Sequence, residues 1–183
     1  CIIVKYHLSS MTEATRMSRA TGAEKEVFPL NELVTGCMHG YQMAFREQQF
    51  KVKVPETNVM IDGAPDYLAQ LLDKLIANAE DFSHNKSEIE VSLSSETIQA
   101  QTYASIIVSN HGPLLPDNMT DQLLNSMISI RTQDKQNKPH LGLGLFIARL
   151  ITEYHNGTIM LRNRKDNKGV EVIVTLPLDA NDK

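Results

Sequence analysis

The sequence lacks the features that mark several common classes of protein. It has two cysteines, Cys1 and Cys37, among 183 residues. They are too few for a disulfide scaffold and lack metal-site spacing, which fits a reducing cytoplasm. No apolar run approaches the length of a membrane span. The formal net charge of -4 and the absence of a Lys/Arg cluster argue against a nucleic-acid surface.

Motifs of several enzyme classes are also missing. The six histidines show no metal-ligand spacing, and no Gly-x-Ser-x-Gly elbow of a serine hydrolase is present. The chain has neither the third glycine of a dinucleotide fingerprint nor the Lys-Ser/Thr of a P-loop. What remains is a chain with 42% apolar and 22% charged residues, a composition typical of a soluble globular domain.

A glycine pair opens directly into an amphipathic helix near the end of the chain. Gly142 and Gly144 lie at the start of a predicted helix, which has one apolar face. That face is formed by Leu143, Ile147, Leu150, Ile151 and Tyr154, and Asn156-Gly157 predicts the end of the helix. Glycines let the backbone approach a bulky anion, and the first helical turn presents unpaired N–H groups and a positive dipole end. The pattern fits a phosphate cradle, and equally a tight loop entering a packed helix.

A second helix is predicted over Tyr67 to Phe82, where apolar residues recur with the helical period. Lys74, Asn78 and Asp81 lie along one flank of that apolar stripe. Asparagine is a poor residue for a helix interior, but beside a core-facing stripe its amide suits an oxygen ligand of phosphate-bound Mg²⁺. The alternative is a solvated polar edge of an ordinary helix.

The remaining pattern alternates between strands and helices. Residues 2–20 read as the end of a helix, and residues 110–141 as a long loop with one short helix, Asp121 to Ile128, typical of a lid. Asn31 is predicted to cap a helix that reaches about Gln48. Strands are predicted at Glu26–Leu30, Phe50–Val54, Asn58–Ile61, Glu88–Ser94, Tyr103–Ser109 (central), Gly157–Asn163 and Val170–Leu176. The expected architecture is a mixed sheet with helices packed on one face.

Three boxes, in order, resemble those of the histidine-kinase ATP-binding domain of the GHKL ATPase superfamily. Residues 71–82 resemble its N box, residues 106–116 its first glycine box, and residues 140–145 its second glycine box. The resemblance covers residues 26–183 and implies a two-layer α/β sandwich of the Bergerat type. It also implies protein histidine kinase activity with ATP and Mg²⁺ as cofactors.

The resemblance further implies how the domain would operate in a longer protein. None of the six histidines is followed by Glu or Asp, as the family's phosphoacceptor is. Residues 1–25 are therefore expected to be the tail of a dimerisation and phosphoacceptor helix with its linker, and the chain, which begins at Cys1 without an initiator Met, is expected to be a fragment. The phosphoacceptor histidine would lie upstream. The implied partners are a response regulator and a second copy joined through the upstream helices, with no nucleic acid and no membrane contact by this segment. The implied location is the cytoplasmic side of a membrane-anchored bacterial sensor.

Site residues follow from the same resemblance. Asn78 would hold Mg²⁺, with Lys74 and Asp81 beside it, and Asn110 with Gly112 would face adenine. Arg131 or Lys135 would reach the γ-phosphate from the lid. The phosphate cradle would be formed by Gly142, Leu143, Gly144 and Leu145.

Several positions depart from the family pattern. Asn110 stands where the family has an Asp that reads the adenine amino group, and Leu114 replaces the second glycine of that box. Lys74 replaces a frequent Asn, and Asp81 a frequent basic residue. An amide offers one acceptor and two donors where a carboxylate only accepts. We therefore expect weaker and less adenine-selective binding of ATP. The rotation of the amide that would serve guanine is blocked if a neighbour such as Thr175, or a bound water, fixes the amide.

Two other functions stay open. The chain would be a non-catalytic signalling module if it keeps the fold but binds ATP poorly. It would be a serine/threonine kinase or ATPase of the same superfamily if a Glu base were present in the N box, but the turn before Asn78 offers Lys74.

Overall fold

The computed structural model describes residues 24–84, 87–116 and 143–178. The predictions for residues 2–20, for the short helix at 121–128 and for most of the lid lie outside the described residues. The described chain forms, in order, β1 (Glu26–Pro29), α1 (Leu30–Ala44), β2 (Phe50–Lys53), β3 (Met60–Gly63), α2 (Pro65–Phe82), β4 (Ile89–Ile98), β5 (Gln101–His111), α3 (Leu143–Tyr154), β6 (Thr158–Asn163) and β7 (Gly169–Leu178).

Five strands form one mixed sheet in the order β2–β4–β5–β7–β6. β2 runs parallel to β4, and the other neighbouring strands are antiparallel. The uniformly apolar strand predicted to be central is β5, which takes the middle position. β1 and β3 pair separately as an antiparallel ribbon. The predicted mixed sheet is therefore confirmed.

One face of the sheet carries the hydrophobic core. On β5, Ala104, Ile106 and Val108 are buried, whereas Ser105 and Ile107 are only half-buried, because successive side chains of a strand point to opposite faces. The helices cover this face, as predicted. The stripe predicted for α2 is buried against it, with these members fully enclosed: Leu68, Leu71, Leu72, Leu75 and Ile76.

α3 shares the same core, although its buried face is centred differently from the predicted one. Ile147 and Ile151 are buried as expected, whereas Leu150 and Tyr154 are only half-buried. Tyr154 instead packs edge-on against Tyr67 of α2, with ring centroids 5.4 Å apart. In the part of the chain that the structure describes, no helix is both long and apolar enough to cross a membrane.

The predicted cap of α1 is wrong. The helix begins at Leu30, and the preceding Pro29 makes no side-chain capping hydrogen bond. Asn31 lies inside the first turn, where its Oδ1 accepts a hydrogen bond from the main-chain N–H of Val59 at 3.1 Å. Asn31 therefore ties α1 to the segment before β3, and α1 ends at Ala44 rather than near Gln48.

The hairpin of β4 and β5 is longer than predicted. Its register continues from Ser94 opposite Ser105 to Ile98 opposite Gln101, beyond the predicted end at Ser94. At its other end β5 continues to His111, so the segment predicted as a loop from residue 110 begins later. Asn110 is consequently a strand residue with a fixed direction relative to the core.

Candidate nucleotide-binding site

The first turn of α3 lies beside the middle of α2. A Cβ placed on Gly144 would lie 3.7 Å from the main-chain oxygen of Lys74 and 4.0 Å from its Cβ. These are ordinary van der Waals distances, so packing against α2 does not require glycine here. The structure thus brings together two predicted parts of the site, the polar flank of α2 and Gly144 of the glycine pair.

Leu143 and Leu145 flank Gly144 and direct their side chains into the core. Leu145 is buried, and Leu143 is half-buried against the same cluster. Only the main-chain N–H groups of these residues remain for a ligand. The first N–H groups of a helix have no acceptor within the helix, and its positive dipole end attracts anions. The turn therefore meets the physical requirements of a phosphate site.

Asn78 lies one turn after Lys74 on the same flank of α2 and is half-buried. Its amide has no hydrogen-bond partner within residues 24–84, 87–116 and 143–178. A helix-interior asparagine with no structural hydrogen bond keeps its oxygen available to a ligand. Asp81 follows on the same flank and is also half-buried.

Asn110 continues the helix-facing stripe of β5 beyond Val108 and is only 5% exposed. Its Nδ2 is buried, and no partner for it exists among the described residues. Leaving a buried amide unpaired costs about 1–3 kcal/mol. A ligand or solvent atom that accepts a hydrogen bond there would remove this cost.

Thr175 is not placed to orient the Asn110 amide, contrary to the possibility raised by the sequence. Thr175 lies opposite Ser105 on β5, so both side chains point to the same face of the sheet. That face is the one opposite to the helix-facing side on which Asn110 lies. The residue opposite Asn110 is Val170, whose side chain has no polar atom.

Gly112 follows β5 where the chain passes the end of α2. A Cβ there would collide with the main-chain oxygen of Phe82 and would lie 3.0 Å from Asn110 Nδ2. The Gly112 N–H donates to the Lys168 oxygen at 3.0 Å. Glycine is therefore required by packing, and the predicted contact of Gly112 with adenine stays a prediction.

Gly169 also lies at this corner, just before the predicted strand Val170–Leu176, and no role in the site was predicted for it. A Cβ on Gly169 would collide with the main-chain oxygen of Asn110, so glycine here lets β7 approach the end of β5. Its sequence signal is a glycine at the first position of a strand, directly after the turn at Asn167.

Asp73 and Tyr41 stand beside Lys74 and were also missed. Lys74 Nζ lies 3.4 Å from Asp73 Oδ2, and the Tyr41 hydroxyl donates a hydrogen bond to Asp73 Oδ1. Burial, followed by this hydrogen bond, raises the pKa of Tyr41 above its usual range. α1 therefore holds a carboxylate next to the Lys74 ammonium.

Three predicted ligand residues, Arg131, Lys135 and Gly142, lie outside the described residues. Among residues whose placement is described, no group of three or more His, Cys, Asp or Glu side chains could hold a metal ion.

Comparison with known families agrees with this geometry. Residues 63–180 match the family described as histidine kinase-, DNA gyrase B- and HSP90-like ATPases. This region includes α2, the corner at Asn110 and the first turn of α3. The chain therefore belongs to this ATPase family, and the expected ATP-binding domain of the histidine-kinase type is confirmed.

Individual relatives are sensor kinases. The sensor protein kinase WalK of Staphylococcus haemolyticus is 24% identical over 158 residues, covering 86% of this chain and 26% of WalK. The catalytic domain of histidine kinase ThkA is 26% identical with a TM-score of 0.67, covering 86% of this chain and 97% of that domain. A mycobacterial sensor histidine kinase, MprB, shares the fold with a TM-score of 0.68 at 18% identity, covering 84% of this chain and 97% of that structure. The chain thus spans about a quarter of the length of WalK.

Proposed function

We propose that this domain holds Mg·ATP between α2 and α3 and presents its γ-phosphate to a histidine of an upstream helix pair. The phosphoryl group would pass to a ring nitrogen of that histidine, and ADP would leave. The domain supplies position and charge neutralisation rather than a nucleophile of its own. The observation that carries the proposal is the contact between the polar flank of α2 and the first turn of α3 at Gly144.

The residues present fit a Mg-nucleotide. Asn78 offers an amide oxygen with no partner among the described residues, and a single protein oxygen is sufficient because Mg²⁺ keeps several waters and phosphate oxygens. The main chain of Lys74 lies beside the first turn of α3, and its ammonium lies 3.4 Å from Asp73 Oδ2. The main-chain N–H groups of that turn would receive the phosphates. Asn110 lies at the opposite end of the site, where a base would supply a partner for its buried Nδ2.

The remaining assignments concern the longer protein. Residues 1–25 would be the tail of the dimerisation helix and its linker, and residues 26–183 the ATP-binding domain. The phosphorylated histidine would pass its phosphoryl group to a response regulator, and two copies would join through the upstream helices. The domain would act on the cytoplasmic side of a membrane-anchored sensor. These proposals rest on the sensor kinases among its relatives.

The glycine at position 144 allows a test that separates binding from folding. Gly144→Ala adds a methyl group where the protein leaves room, so the fold should persist. Because the methyl group would stand where phosphate must approach the backbone, we expect ATP affinity to fall at least about tenfold. Titration calorimetry with ATP and Mg²⁺ measures this effect.

Gly40→Ala is the matched control. Gly40 lies in α1, and a Cβ there would meet nothing within 4 Å. Both variants should be as stable as the parent or more so, by up to about 1 kcal/mol, because alanine favours a helix over glycine. Unchanged ATP affinity in a folded Gly144→Ala variant would contradict the phosphate cradle.

A second function, a signalling module without catalysis, is favoured by one observation: the carboxylate expected at the base site is the neutral Asn110. Labelling the full-length protein with ATP radioactive in its γ-phosphate distinguishes the two functions. A kinase yields acid-labile phosphohistidine, and the label should decrease in Gly144→Ala. A full-length protein that remains unlabelled at saturating Mg·ATP would favour the module.

A further inference from the structure

We propose that the base end of this site accepts guanine as well as adenine, because the Asn110 amide can present either of its polar atoms to a ligand. The inference rests on the proposed nucleotide-binding function and specifies its substrate class as purine nucleoside triphosphates. Its starting point is a buried side chain whose hydrogen-bonding capacity the described protein leaves unused.

The direction of Asn110 is fixed by the strand that carries it. Asn110 shares the helix-facing side of β5 with Ile106 and Val108, both buried. A ligand reaching it must therefore lie on the helix side of the sheet, where α2 and α3 meet at Gly144. The amide and the proposed phosphate turn consequently face the same side of the molecule.

The orientation of the amide is not fixed by the neighbouring residues that the structure describes. Val170 lies directly opposite on β7, and Gly112 lies against Nδ2, so neither neighbour offers a side-chain donor or acceptor. The Asn110 main chain is held by the β5–β7 pairing, whereas no described residue makes a hydrogen bond to the buried Nδ2 that would select one rotamer of the terminal amide. The oxygen and nitrogen positions can therefore exchange by a half turn about the last side-chain bond.

The two orientations match the two purines. Adenine presents an amino donor beside a ring-nitrogen acceptor, so Oδ1 accepts from the first and Nδ2 donates to the second. Guanine presents a carbonyl acceptor beside a ring N–H donor, and the rotated amide satisfies both. A carboxylate has acceptors alone and would repel the guanine carbonyl. The neutral amide removes this repulsion, and with it the main reason to reject guanine.

Binding of ATP and GTP to the 183-residue chain, each with Mg²⁺, tests the proposal by titration calorimetry. We expect the two dissociation constants of the parent protein to agree within about tenfold. Asn110→Asp should tighten ATP by about five- to thirtyfold, the gain of a charged acceptor over a neutral one, and should weaken GTP. Asn58→Asp is the matched control, because it adds the same charge at an exposed residue before β3 and should change neither constant.

A second variant covers the case in which a buried carboxylate prevents folding. Asn110→Leu has a similar volume and removes both polar atoms, so its melting temperature without nucleotide should equal or exceed that of the parent. Both nucleotides should bind it more weakly and by a similar factor. The melting temperature without nucleotide depends on the unpaired amide and not on catalysis.

The outcomes separate this inference from the proposed function. ATP binding with a GTP constant more than about a hundredfold weaker overturns the inference alone. An unchanged ATP-to-GTP ratio in folded Asn110→Asp does the same. Failure of the parent protein to bind either nucleotide overturns both the inference and the proposed function.

Discussion

We expect the stability of the domain to fall between pH 7.5 and pH 5.5 because of one buried histidine. His155 directly follows α3 and is 4% exposed. Its Nε2 accepts a hydrogen bond from the Ala64 main-chain N–H at 3.0 Å, and its Nδ1 donates to the Ile151 oxygen at 2.8 Å. The ring must be neutral to make both bonds, because a protonated Nε2 cannot accept. The side chain therefore joins the end of α3 to the start of α2 only while uncharged.

The sign of the effect follows from the direction of the pKa shift. Burial lowers the pKa of His155, the hydrogen bond to Ile151 opposes this, Lys25 lowers it further and Asp62 raises it. The net pKa lies below the unfolded value of about 6.5. Below that pH the unfolded chain binds a proton that the folded chain does not. The contribution is therefore complete above about pH 6.5 and is lost as the pH falls.

The same linkage sets the magnitude. One proton of difference changes the free energy of unfolding by at most about 1.4 kcal/mol per pH unit. Between pH 7.5 and 5.5 the loss from His155 therefore cannot exceed about 1.4 kcal/mol, which it reaches if the folded ring stays neutral throughout.

Urea unfolding at pH 7.5, 6.5 and 5.5 measures this loss. His155→Gln keeps an acceptor for Ala64 and removes the titration, so it should lose about 1 kcal/mol less than the parent protein between the upper and lower pH. His39→Gln, at an exposed position of α1, should retain the parent pH dependence. Identical pH dependence of the parent protein and folded His155→Gln would refute the argument. A ring NMR titration of His155 with its midpoint above pH 6.5 would also refute it.

Two further predictions concern α2 and its neighbour α1. Asn78→Ala should abolish the Mg²⁺-dependent part of ATP binding without loss of stability, since alanine is the better helix former. Titration calorimetry with ATP, with and without Mg²⁺, measures this effect. Unchanged Mg·ATP affinity in a folded variant would contradict the role of Asn78 as a ligand. Tyr41→Phe removes the hydrogen bond to Asp73 and should cost about 0.5–1.5 kcal/mol in urea unfolding. Its alkaline absorbance titration should lose a tyrosine that titrates above the usual range. Loss of a tyrosine that titrates within the usual range would argue against the raised pKa of Tyr41.

The sequence predicted the parts of the fold that depend on short-range periodicity. The apolar stripe of α2 recurs every three to four residues, and the structure buries it as predicted. The central position of β5 followed from its apolar run and was also correct. Such patterns are reliable because one face of each helix or strand must be removed from water.

Contacts between distant segments could not be predicted in this way. Asn31 is a residue type that commonly caps helices, but its side-chain oxygen accepts a hydrogen bond from the N–H of Val59, 28 residues away. His155 looked like one of several scattered histidines, and only the folded chain places it against Ala64. Gly157 was correctly predicted near the helix end. The sequence did not show that a Cβ at Gly157 would collide with the carbonyl oxygen of Thr175 on another strand. Each of these roles depends on a partner that no local pattern names.

At the end of β5, two adjacent polar residues have different roles. Ser109 makes a hydrogen bond within the protein, whereas Asn110 is available to a ligand. Ser109 and Asn110 are adjacent polar residues, and the sequence alone does not decide which faces the helices. The strand continues to His111, so the alternation holds through both. Ser109 points to the face of the sheet away from the helices, where its hydroxyl accepts a hydrogen bond from Arg164 Nη1 at 3.2 Å. Asn110 points toward the helices and is left with an unpaired buried Nδ2. Because buried polar groups are almost always paired, the Ser109 hydroxyl is satisfied within the protein, whereas Asn110 Nδ2 has no partner among the described residues and is available to a ligand.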